Sequence, residues 1–158
     1  MVNPLVGAHA LLGELGLASF LWVFVEMLKP TSSRLRRAKI AAFVGVVMFF
    51  ASWIVGGYYY ATDYGTIIKP IIKEGPQPWA HLVFMEAKEH IFLFLPFLSI
   101  FTYTLILRYQ SHLKGDKDSR ARKAILFMCV LIFLIGAMMA GMGYLISNGY
   151  RAALEVAS

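Results

Sequence analysis

Apolar residues in this chain come in long unbroken blocks. They show neither the alternation of a half-buried strand nor the 3.6-residue stripe of a surface helix. Four blocks stand out, at about 4–28, 40–62, 80–107 and 124–147. Each exceeds the ~20 residues that a helix needs to cross the hydrocarbon core of a bilayer. Lipid offers the backbone no hydrogen bonds, so only helices or closed barrels span it, and blocks this apolar are not barrel strands. The pattern predicts an all-α integral membrane protein: one domain, four helices, short connections, and hence an up-down-up-down bundle. In that order the first and third helices lie diagonally across the core. The opening "MVNP" has no positive charge and the run behind it is long, so the first block reads as a helix rather than a cleaved signal peptide.

Basic residues add a direction. Lys29, Arg34, Arg36, Arg37 and Lys39 fall between the first two blocks; Arg108, Lys114, Lys117, Arg120, Arg122 and Lys123 fall between the last two. By the positive-inside rule these loops are cytoplasmic, and both termini and the segment 63–79 face outward. The formal charge of +6 follows from this arrangement. It does not point to nucleic acid, because these side chains meet anionic lipid first. Glu26 sits beside the first basic loop and is expected to pair with it. In the outer segment, "TIIKPIIK" reads as a surface-lying stretch. Trp79 and Tyr58, Tyr59, Tyr60 and Tyr64 read as an interfacial aromatic belt. Composition agrees with a membrane protein: 59% hydrophobic residues and a mean hydropathy of +0.65. The single cysteine, Cys129, has no partner within the chain and reads as a packed thiol.

The exception to the apolar pattern is "MEAKEHIF", where Glu86, Lys88, Glu89 and His90 open the third block. Charge within a span costs at least ~2.5 kcal/mol per group, so a cluster calls for a reason. Counted from Lys29 and Arg108 at ~1.5 Å per residue, His9 and His90 lie roughly 30 and 27 Å from the inner boundary, at nearly one depth. Helical spacing places Trp79, Leu82, Glu86, Glu89, His90, Leu93 and Phe97 on one side of the third helix, taken as the inward one, and Lys88 on the other, snorkelling to headgroups. His9 shares a face with Gly13, Gly16 and Phe20; Gly45, Ser52 and Gly56 line the second helix, and Gly136, Ala140 and Gly143 the fourth. Glu14 faces another way.

Two neutral histidines at one level, with glycines between them, suit a b-type haem carrying electrons near the outer face. His9 and His90 would be the axial ligands, Glu86 or Glu89 would orient an imidazole, and Gly13, Gly56 and Gly143 would admit the macrocycle. In general plan this resembles the membrane b-type cytochromes. Zinc, iron or copper held by His9 and His90 with the two glutamates is an alternative, although "EAKEH" lacks the Glu-x-x-His spacing of di-iron bundles. The cluster of Met85, Met138, Met139 and Met142 reads as packing rather than a copper site. A proton path would need polar groups in the inner half, where the sequence has few. The remaining reading is a structural or assembly subunit of a larger membrane complex, without a cofactor. The chain contains no phosphate loop, no HExxH and no nucleophile elbow, so an electron carrier or accessory subunit is expected rather than an enzyme. His81 and His112 read as interfacial and loop histidines. Pro96 has no N–H for the carbonyl of Phe92 and should kink the third helix.

Overall fold

A computed structural model of the chain describes residues 3–113 and 119–157, so the loop residues Lys114 and Lys117 lie outside the described residues. The protein is an all-helical bundle. Four helical runs are long and apolar enough to cross a membrane: Pro4–Met27, Ser32–Glu74, Ala80–Arg108 and Arg120–Val156. Its outside is as apolar as its inside, with Leu11, Trp22, Ile54, Phe97, Phe127 and Leu134 all exposed. That is the signature of a surface solvated by lipid rather than water.

Helix α1 (Pro4–Met27) starts on an Asn3 cap whose side chain accepts from the N–H of Leu5, with Pro4 in the first turn, where its missing N–H costs nothing. Helix α2 (Ser32–Tyr59) starts on Thr31. These two helices lock through reciprocal Gly–Phe contacts. A Cβ on Gly16 would lie 2.7 Å from the Phe49 ring, and one on Gly45 would lie 2.6 Å from the Phe20 ring. The two rings stack at 5.9 Å. At the far end the expected pairing of Glu26 is present: its buried carboxylate accepts from Arg34 Nε at 2.8 Å, Arg37 Nε at 2.6 Å and Trp22 Nε1 at 3.0 Å.

The stretch 66–73, "TIIKPIIK", is helical and belongs to the second run. The second run continues as a π-helical stretch, Tyr60–Ile68, and then α3, Lys69–Glu74. Pro70 has no N–H for the carbonyl of Thr66, so an α-helical register cannot close there, and the turns before it are wider. The third run begins with a second π-helical stretch, Ala80–Met85, and continues as α4 (Glu86–Ile91) and α5 (Phe94–Arg108). It breaks where Pro96 predicts: the carbonyl of Phe92 is taken at 3.1 Å by the N–H of Leu95 instead. Helix α6 (Arg120–Ala157) completes the chain.

α1 packs on α2 and α6, α2 on α5, and α5 on α6, so the first and third runs face each other across the core. The second run has 43 residues against 24 in α1, about 65 Å against 36 Å. Its surplus, the start of the third run and the end of α6 pack together around Tyr64, Ile72, Ala80 and Ile146. Gly149 and Gly75 bring these helices close, since a Cβ on either would lie 2.5 Å from the Cβ of Ala80 or Ala153. Three helices thus form a cap that continues past α1, whose first residues are tied to it by Asn3 Nδ2 donating to Asp63 Oδ2 at 3.0 Å.

Candidate functional site

His9 occupies the interface of α1 and α2. Its Nδ1 lies 2.9 Å from the carbonyl of Ser52 and 3.0 Å from Ser52 Oγ, and that hydroxyl donates to the carbonyl of His9 at 2.9 Å. A carbonyl only accepts, so Nδ1 carries the proton and Nε2 is the free nitrogen. Gly56 makes the seat: a Cβ there would lie 2.6 Å from Nδ1. Gly13 faces Ser52 at ordinary contact distance, with a notional Cβ 3.5 Å from Oγ. The space opposite Gly56 is therefore filled by the imidazole itself.

The third run presents its faces the other way round from the sequence expectation. Glu86 is 45% exposed, and His90 is exposed together with Leu93, Phe94 and Phe97. The His90 Nδ1 donates to the carbonyl of Glu86 one turn earlier, at 2.6 Å. The core-facing line is His81, Lys88, Leu95, Ser99, Thr102 and Ile106, all buried except half-buried Lys88. Lys88 does not snorkel away from the bundle. Its Nζ lies 3.2 Å from where a Cβ on Gly143 would be, and its charge reaches the His9 imidazole. Among the described residues Nζ makes no ion pair and no hydrogen bond. Gly143 thus makes room for an ammonium group.

Sequence reasoning missed a second polar group. His81 is only 1% exposed, in the cap between the two π-helical stretches. Tyr64 Oη lies 3.1 Å from its Nδ1 and Glu86 Oε1 lies 3.4 Å from its Nε2. The phenol hydrogen-bonds one ring nitrogen, and the carboxylate stands within ion-pair distance of the other. A chain thus runs from buried Tyr64 through His81 to partly exposed Glu86. Tyr60 stacks on Tyr64 at 5.4 Å, and Glu89 lies against Tyr60 with its Oε1 buried and without a hydrogen bond. A signal was available: His81 precedes Lys88 by seven residues and Leu95 by fourteen, two heptads along the core-facing line.

Below His9 and Lys88 the interior is apolar, through Phe20, Phe49, Ile132 and Met139. The buried hydroxyls of Ser99 and Thr102 are satisfied by carbonyls of their own helix at 2.6 and 2.7 Å. Among the described residues the polar groups near His9 and Lys88 do not continue as a path across the bundle. The structure does not bring His9 and His90 together: one is clamped between α1 and α2 and the other lies on an exposed face. No group of three or more His, Cys, Asp or Glu among the described residues is placed to hold a metal ion. Comparison with protein-family models, curated proteins and solved structures finds nothing that matches this chain.

Proposed function

We propose that this protein is a multi-pass membrane protein whose outer half binds a small anionic group, a phosphate or carboxylate, at Lys88. One observation carries this reading. Lys88 directs an ammonium to the core side of the third run, opposite a glycine, and the described part of the chain supplies no carboxylate to neutralise it. A basic side chain within a span costs about 2.5–3.5 kcal/mol, and an anionic ligand recovers that cost through a charge-assisted hydrogen bond. His9 lies within electrostatic reach of it as a further polar group. The approach is short, because α1 begins five residues before His9. The apolar interior below favours binding over transport.

The frame is an up-down-up-down bundle with the cap and both termini on the extracytoplasmic side and the basic loops in the cytoplasm. The clustering of Lys and Arg in residues 29–39 and 108–123 supports that orientation. Lipid phosphate and free phosphate share the recognising chemistry. The test is thermal unfolding of purified protein with inorganic phosphate, short-chain phosphatidylglycerol or short-chain phosphatidylcholine. A ligand at 100 times its Kd stabilises by about 2.7 kcal/mol. Stabilisation by both anions, or by phosphatidylglycerol alone, that is lost in Lys88→Gln and kept in His90→Gln supports the site and names its source. Equal shifts in wild type and Lys88→Gln refute it.

A haem remains a second reading for one reason: both His9 and His90 donate Nδ1–H to a backbone carbonyl, the tautomer that leaves Nε2 free for iron. An absorption spectrum of the same preparation decides it. A Soret band lost in both His9→Ala and His90→Ala restores that reading, and a colourless preparation from haem-replete cells removes it.

A further inference from the structure

The first helix carries a carboxylate that nothing in the bundle uses. Glu14 is exposed and, among the described residues, makes no hydrogen bond or ion pair. It lies ten residues from Pro4 and thirteen from Met27, about 15 and 20 Å from the two ends of α1, so it is near mid-depth. A carboxylate there can reach neither headgroup region, and hydrocarbon offers it no donor.

Glu14 also belongs to a regular seam. Gly7, Leu11, Glu14, Ala18, Leu21, Val25 and Leu28 follow one another at alternating spacings of four and three, and all seven are exposed. This is the 3.5-residue repeat of a left-handed helix pair, and it runs the whole length of α1. Gly7 has open space where a Cβ would be, and Ala18 is small, so a second helix can approach closely.

We propose that this seam is the contact between two copies of the chain, paired in parallel through α1, with the two Glu14 carboxyl groups facing each other and sharing a proton. Symmetry selects the occupant. Two copies inserted the same way are related by a twofold axis along the membrane normal, so each seam residue meets its own counterpart at its own depth. A second copy therefore brings a polar group to the level of Glu14, whereas an unrelated span would have to match it by chance. A single polar residue inside an apolar heptad seam also fixes register, as it does in coiled coils. The seam lies on the face of α1 turned away from Ser52 and Gly56, so this inference stands apart from the Lys88 site.

The test is cysteine cross-linking in native membranes, in a Cys129→Ala background, with single cysteines along α1. Dimer yield should peak at positions 11, 18 and 21 and fall at 12 and 16, which pack inside the bundle. Glu14→Gln, which still pairs with itself, should keep the dimer. Glu14→Leu should weaken it roughly 5- to 30-fold, as read by dilution into lipid. A monomer at every protein-to-lipid ratio overturns the proposal. So does cross-linking of seam positions only to another polypeptide, or an equal dimer affinity for Glu14→Leu.

Discussion

Adjacent glycines at the end of α2 separate a functional close approach from an ordinary small residue. A Cβ added at Gly56 would lie 2.6 Å from His9 Nδ1 and 2.9 Å from Cε1, whereas one added at Gly57 would meet nothing within 4 Å. Ordinary contact begins near 3.4 Å, so in Gly56→Ala the imidazole must retreat by about 0.8 Å. Its hydrogen bonds to Ser52, at 2.9 and 3.0 Å, would then stretch to about 3.7 Å, beyond hydrogen-bonding distance. Stranding a half-buried imidazole N–H and a carbonyl costs about 1–3 kcal/mol, and overpacking adds a similar amount. The better helix propensity of alanine offsets up to about 1 kcal/mol. A net loss of about 1–6 kcal/mol is expected for Gly56→Ala, against a gain of up to about 1 kcal/mol for Gly57→Ala. The assay is thermal unfolding in detergent, followed by labelling of the buried Cys129 thiol as it becomes accessible. In His9→Ala/Gly56→Ala the obstructing ring is gone, so the second substitution should cost far less than it does alone, a coupling of about 1 kcal/mol or more. Equal stability of Gly56→Ala and Gly57→Ala, or strict additivity in the double variant, would refute the clamp.

Three further outcomes follow from the same structure. Tyr64→Phe should destabilise the protein by about 1–3 kcal/mol, because it leaves Nδ1 of a 1%-exposed His81 without its partner, and Tyr64→Phe/His81→Phe should cost less than the sum of the two single changes. Gly149→Ala brings a Cβ to 2.5 Å from the Cβ of Ala80, so hydrogen exchange should quicken across Tyr60–Glu74 while the α1–α2 hairpin near Glu26 stays protected. Glu26→Ala removes the shared acceptor of Arg34, Arg37 and Trp22 and should lower Tm more than Arg34→Ala, which leaves Arg37 in place; equal shifts would show that the network does not act as a unit.

Helix existence was legible because the blocks are long and lipid leaves the backbone no other option. The inward faces of the first two helices were legible too, because glycine marks close approach wherever a neighbour fills the space, as Phe20, Phe49 and His9 do. The third run was read back to front for a physical reason. In lipid the outside of a bundle is as apolar as its core, so Leu82, Leu93 and Phe97 looked like interior residues while facing outward. What marks the interior there is hydroxyls that satisfy themselves, at Ser99 and Thr102, and they share a line with Lys88 and His81 rather than with His90. The cap was hidden because "TIIKPIIK" has the apolar–basic alternation of an interfacial stretch. Its apolar side instead buries Ile72 against the end of α6, a partner about 75 residues away that no local pattern reveals.

The same reversal changes what the charges in "MEAKEHIF" are for. Each takes a different direction around one helix. His90 faces outward, Glu86 closes the His81–Tyr64 chain, Glu89 turns to Tyr60, and Lys88 turns to the core. A cofactor shared by all four would need them on one side, and they are not. The costly group is then the lysine, because the other three reach solvent, a histidine or a phenol, while Lys88 has a glycine opposite and the His9 imidazole within electrostatic reach. Among the described residues Gly143 admits this cation and no carboxylate neutralises it, and the proposed anion site rests on that juxtaposition.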